Sequence, residues 1–215
     1  MNRPETEGFK ESLQPQFVNR EREEKLLETC PHRVVTEEIA CIAVSGDDRT
    51  PVDRKTAAEH CMTGKEVIGC ALQNQEKQTY HLAPVEALLD FPAEGGGNSS
   101  LLVLTNQKAL YGSCEALNAT AMREAVSQLG TDQILVIPSS VHEVLLFPEN
   151  GDLSVTQLNS LIASVNMTEV APKDRLSNRA MLYDYQTRRL EDAETALCRD
   201  QMEPVIQTQK KRHLS

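Results

Sequence analysis

Ile134-Leu135-Val136-Ile137-Pro138-Ser139-Ser140-Val141-His142-Glu143-Val144-Leu145-Leu146-Phe147 is the stretch on which the fold turns. Two apolar runs rich in β-branched and aliphatic residues flank a Pro-Ser-Ser corner. Pro, Ser and their like punctuate the chain, and short apolar runs bounded by them read as strands. The stretch therefore predicts a strand over 134–137, a tight turn, and a second strand over 141–147. Strands joined so closely pair antiparallel.

Moving outward, Leu101 to Thr105 is a further buried-strand run, and Ala109 to Tyr111 stands where it could pair with it across Asn106-Gln107-Lys108. Ile39 to Val44 reads as a strand closed by the turn Ser45-Gly46-Asp47-Asp48, and Met181 to Tyr185 as a last strand. Helices stand between them. Thr63-Gly64-Lys65-Glu66 has the form of a capping box, with Met62 and Val67 placed as a hydrophobic staple. Leu117, Ala121, Met122, Ala125, Val126 and Leu129 recur at helical spacing until Gly130. Ser154 to Gln157 repeats the capping form, and Val155, Leu158, Leu161, Ile162 and Val165 make an apolar stripe. Glu21 to Leu27 suits a short helix, and Pro84 suits a first helical turn.

The expected class is α+β. A small, mostly antiparallel sheet uses strands near 39–44, 101–105, 133–137, 141–147 and 181–185. Three to four helices, near 63–73, 115–129 and 154–165 among them, cover it. Residues 1–16 and 191–215 are polar and lack an apolar stripe, so they read as a flexible arm and a tail that bury too little to offset ordering entropy. Between them, 17–190 reads as one domain: a helical part to about 94, a Gly-rich loop at 95–100, and a denser α/β part over 101–190.

Composition narrows the function classes. The chain has 215 residues, 40% of them apolar, with no Trp and 4% aromatics, so Leu, Val, Ile, Ala and Met must build the core. A formal net charge of −10 repels a phosphate backbone, and nucleic acid is not an expected partner. The one basic cluster, Lys210-Lys211-Arg212-His213, reads as solvated tail. No apolar run approaches the ~20 residues that span a bilayer, and the N-terminus lacks a signal core. The expected compartment is the cytoplasm, without a membrane. Six cysteines at irregular spacing with no CxxC read as free thiols.

The run Ile137 to Leu146, with Leu104-Thr105-Asn106 and Tyr111-Gly112 before it, resembles a bacterial family catalogued as domain of unknown function 5688. Val18-Asn19-Arg20-Glu21, Leu26-Leu27, Pro31-His32-Arg33, Ala71-Leu72-Gln73-Asn74 and Val165 to Pro172 with Leu176-Ser177 extend the likeness over roughly 17 to 190. The resemblance implies that this chain corresponds to the C-terminal two-thirds of the family, as a shortened or split member. It also implies a Trp before the Thr63 helix, which this chain lacks. It implies no reaction and no cofactor.

Candidate chemistry centres on His142, which beside a turn can titrate near neutral pH or act as a general base. Ser139 and Ser140 stand near it as hydroxyls, and Cys114 follows Tyr111-Gly112-Ser113 at a helix start, where a thiol pKa can fall. Asn106, Tyr111, Ser139, Ser140, His142 and Glu143 are expected to gather as one polar cluster where sheet turns meet. His142-Glu143 lacks the second His of a zinc protease, since Leu146 holds its place. Cys30 with His32, and His60 with Cys61, sit too close in sequence to share a tetrahedral metal. The expected function is a non-catalytic intracellular interaction module whose partner is protein, in an unassigned oligomeric state. The alternative is a hydrolase using His142 with Ser139, Ser140 or Cys114.

Overall fold

The computed structural model describes residues 3–88, 101–138, 140–151 and 154–199. The chain opens with α1 (Arg3–Ser12), which runs into β1 (Leu13–Asn19), followed by α2 (Glu24–Thr29), β2 (His32–Val34), β3 (Ile39–Ser45) and β4 (Thr50–Pro51). These strands form a small antiparallel sheet ordered β1-β3-β2, with β4 on the end of β3. β3 is apolar from Ile39 to Val44 because both its faces are covered. Ala43 packs with Leu13, Val67, Ile68 and Ala71 beneath α3 (Arg54–Glu59) and α4 (Gly64–Gln75). Ala40, Ile42 and Val44 meet Val18 and Leu27.

The larger sheet holds β5 (Tyr80–Pro84), β6 (Leu102–Asn106), β7 (Gln133–Ile137), β8 (Glu143–Pro148), β9 (Met181–Asp184) and β10 (Arg189–Asp192), ordered β10-β9-β7-β8-β6-β5 and antiparallel throughout. Register aligns Leu102, Leu146, Val136 and Met181 in one row across four strands. That face packs on Ala121, Met122 and Ala125 of α5 (Ala119–Leu129) and on Phe17, Ile39 and Cys41 of the small sheet, so one core joins the two sheets. The opposite face carries Leu135 and Leu182. It is covered by Val155, Leu158 and Ile162 of α6 (Val155–Thr168) and by Ala193 and Ala196 of α7, residues 193–199. The class is α+β.

The local signals that hold are those with strong side-chain chemistry. Thr63 and Glu66 form the reciprocal capping box, and Met62 and Val67 share one core cluster. Asn118 caps α5, and Gly130 ends it at φ 68°. Ser154, by contrast, makes no side-chain cap bond. The helix read over 115–129 divides into a 3-10 segment, Gly112–Leu117, and α5, because Asn118 is extended.

The larger corrections are tertiary. The arm read over 1–16 carries α1 and most of β1. Phe9 stacks on His60 at 3.7 Å, and the Asn74 amide donates to Lys10 and Leu13 carbonyls at 2.7 and 3.0 Å. The part read as helical to about 94 contains the end of β1, all of β2, β3 and β4, and β5, an edge strand ending at Pro84, where a missing N–H is tolerated. Ala109 to Tyr111 does not pair with β6, whose neighbours are β5 and β8. The tail read from 191 begins inside β10 and continues as α7. The Gly-rich loop at 95–100 and residues 200–215 lie outside the described residues.

Candidate functional site

The corner between β7 and β8 is wider than a tight turn, since Ile137 pairs with Leu145. Val141 and His142 belong to this loop, and their backbone groups are taken from outside the hairpin. Val141 N–H donates to the Asp174 carbonyl at 2.8 Å, and Gly112 N–H and the Thr105 hydroxyl donate to the His142 carbonyl at 2.8 and 2.7 Å. Within the loop, Ser140 Oγ accepts from His142 N–H at 3.0 Å and donates to Glu143 Oε1 at 2.8 Å. Both ring nitrogens of His142 then have neighbours. Nδ1 accepts from Tyr111 N–H at 3.1 Å, and Nε2 lies 3.4 Å from Asp174 Oδ1. The Tyr111 ring is tilted against the imidazole at a centroid distance of 5.3 Å.

This arrangement selects a tautomer. An Nδ1 that accepts an N–H carries no proton itself, so the neutral ring is protonated on Nε2, facing the Asp174 carboxylate. Both nitrogens thus face groups that hold the loop, the backbone N–H of Tyr111 and the Asp174 carboxylate. Ser140 is committed on both its hydroxyl roles, and Ser139 lies outside the described residues. Cys114 is buried, with Sγ 3.3 Å from the Pro15 carbonyl and 3.5 Å from that of Tyr111. Burial, aided by the neighbouring Glu115, holds its pKa well above the ordinary thiol value, the reverse of an activated nucleophile. Asn106 spends its side chain on its own loop, donating to the Leu110 carbonyl and accepting from Lys108 and Leu110 N–H groups. The structure thus brings Tyr111, Ser140, His142 and Glu143 together. It adds Asp174, which sequence reading missed because the residue lies far along the chain in an unremarkable turn.

A second feature lies beside that junction. The β3–β4 loop, the α4–β5 loop and the loop after β6 enclose a cleft of about 510 Å³ whose charged lining residues are Arg49, Lys77, Lys108 and Asp47. The Arg49 guanidinium donates to Gln16 Oε1 and Gln14 Oε1, both at 2.9 Å, and to the Pro15 carbonyl at 3.1 Å, and it lies 5.1 Å over the Tyr111 ring. Its partners are neutral, and burial lowers its pKa from the usual arginine value. Arg49, Ala109 and Tyr111 all hold left-handed φ, near 54°, 48° and 55°. Isolated cations on separate loops have no spacing signal, so only the folded chain gathers them.

A third feature lies on the far side of the large sheet. Ile137, Leu145, Leu158, Leu161, Ile162 and Val165 line an apolar groove of about 130 Å³ between α6 and the strands. Leu161 is 60% exposed and Val165 42%. Among the described residues, no group of three or more His, Cys, Asp or Glu side chains is placed to hold a metal ion. Among the same residues, no helix is long and apolar enough to cross a membrane.

The model of a family described as "Family of unknown function (DUF5688)" matches residues 3–185, beginning further toward the N-terminus than the motif resemblance does. No curated protein and no solved structure matches the chain.

Proposed function

The chain belongs to the family of unknown function DUF5688, and we propose that it is a non-catalytic interaction module that pairs through the outer face of α6. The observation that carries this reading is chemical. α6, Val155–Thr168, has no charged residue in 14, while every other helix among the described residues carries charge. Charge depletion around exposed aliphatic side chains is what distinguishes the centre of an interface from ordinary surface.

The first occupant is a second copy of the chain. With a net charge of −10, two copies repel over most of their surface, and an uncharged helix is where they approach at least cost. The face is also self-complementary. Gln157, Leu161 and Val165 form one ridge at spacing four, and the exposed small residues Ser160, Ser164 and Thr168 form a shallow row beside it. A ridge of each copy in the groove of the other gives a crossing angle of about −50°, the commonest packing of two helices. A two-fold axis then uses the same patch twice. The reading places the module in the cytoplasm, which suits its unpaired thiols.

Sedimentation equilibrium over a wide concentration range tests this. The parent should dimerise reversibly, and a variant with both Leu161→Asp and Val165→Asp should stay monomeric, with the parent's melting temperature at concentrations low enough for the parent to be monomeric. A parent that stays monomeric at the highest concentrations, or a double variant that dimerises equally well, would refute it.

A further inference from the structure

We infer that the cleft between the β3–β4 loop and the loop after β6 binds a small phosphate-bearing anion. The chain is strongly acidic overall, yet the charged groups on this cleft are three cations, Arg49, Lys77 and Lys108, against one carboxylate, Asp47. A local reversal of sign inside a concave site focuses potential on whatever anion enters it.

The polar groups point the same way. The oxygens of two amides are used internally: Gln14 Oε1 accepts from Arg49, and Gln107 Oε1 accepts from the Thr79 hydroxyl at 2.9 Å. What each amide has left to offer is its NH2. Arg49 spends three of its N–H groups on Gln14, Gln16 and the Pro15 carbonyl, and a guanidinium has five. The remaining donors come from Arg49, Gln14, Gln107 and the two lysines, on separate loops and on β1. Donors that converge from several walls suit a tetrahedral oxyanion better than a planar carboxylate, and Arg supplies the fork geometry that phosphate favours. The volume of about 510 Å³ leaves room for a small molecule around the phosphate.

Asp47 is the natural competitor. Its Oδ1 lies 3.6 Å from Lys108 Nζ, but both side chains are exposed, the lysine 78% and the aspartate fully, so the pair yields readily to a stronger anion. Asp48, next in the loop, is turned to the Thr50 hydroxyl at 2.8 Å.

The test is calorimetric titration of the full chain with pyrophosphate at low salt, with citrate at matched ionic strength as the carboxylate control. Lys77 and Lys108 are exposed and hold no core contact, so a Lys77→Glu, Lys108→Glu double variant keeps its fold, which its melting curve verifies. The parent should bind pyrophosphate saturably, the double variant at least tenfold more weakly, and Asp47→Asn several-fold more tightly. Binding should weaken as salt rises. Absence of saturable binding, or equal affinity in parent and double variant, would overturn the site. Citrate binding as tightly as pyrophosphate would overturn its assignment to phosphate.

Discussion

Asp174 holds the His142 corner twice, once at the histidine ring and once at the residue before it. The Asp174 carboxylate lies 3.4 Å from the His142 ring, and the Asp174 carbonyl accepts the N–H of Val141, the residue before the histidine, at 2.8 Å. Residues far apart in the chain thereby pin the β7–β8 corner from one side while Tyr111 and Gly112 pin it from the other.

His142→Ala removes the acceptor for Tyr111 N–H at a residue already held at φ 55°. A part-buried donor left without a partner costs about 1–3 kcal/mol. Thermal melts of the variant should show that loss. Asp174→Asn should cost less, because an amide oxygen still accepts from Nε2–H. If the two variants lose equal stability, the tautomer assigned to His142 is wrong.

Gly112 tolerates no side chain. A Cβ there would run into the Thr105 hydroxyl and the Asn106 backbone nitrogen, and would lie 2.8 Å from the His142 carbonyl. Two of these are backbone atoms, which cannot turn aside as a flexible side chain does. Gly112→Ala should therefore destabilise by about 1–3 kcal/mol or more, as overpacking does. A denaturant midpoint unchanged from the parent would show that the loop relaxes freely.

Glu115 sets a pH dependence. Burial drives its pKa from 4.5 up to about 7, against hydrogen bonds from Asn118 and Gln75 that favour the charged form. The folded state then holds a proton that the unfolded state has released, so this contribution is complete below about 4.5 and is lost as pH rises through about 7. At about 1.4 kcal/mol per pKa unit, the loss is roughly 3 kcal/mol. Glu115→Gln keeps an acceptor for Asn118 and removes the titration. Its stability curve from pH 5 to 8 should be flatter than the parent's, with the variant the more stable at pH 8. Parallel curves would remove Glu115 as the cause.

Arg179 and Asp192 tie β10 and α7 to the sheet. Arg179 Nε and Nη2 donate to the two Asp192 oxygens at 2.7 and 3.1 Å, and Nη2 also reaches Glu194 at 2.8 Å. Burial raises the Asp192 pKa, but the hydrogen bonds from Arg179 and Thr195 and the Arg179 charge together outweigh it, and the net shift is downward. This stabilisation is present above the ordinary carboxylate range and is lost as pH falls through the lowered pKa. Asp192→Asn should cost about 1–3 kcal/mol at neutral pH, with the gap closing in acid. Hydrogen exchange over residues 189–199 should rise more than elsewhere; uniform change would mean that the pair is not what anchors this end.

The sequence by itself determined the class and the local elements that carry their own chemistry. Ile134–Ile137 and Val141–Phe147 read as strands of one antiparallel sheet, since each apolar run is short and turn residues part them. Thr63, Glu66 and Gly130 placed helix ends through hydrogen bonds and backbone geometry that span a few residues. Tertiary structure decided what rests on distant partners. Residues 3–19 look polar and aperiodic, yet they are ordered because β3 supplies their ladder and His60 and Asn74 hold α1. β10 and α7 look like tail until Arg179 and the underside of the large sheet receive them. The Arg49 cleft and the Asp174–His142 contact are the same case, because a pattern in sequence records periodicity along the chain, whereas charges and hydrogen bonds between loops depend on where the topology sets each loop down.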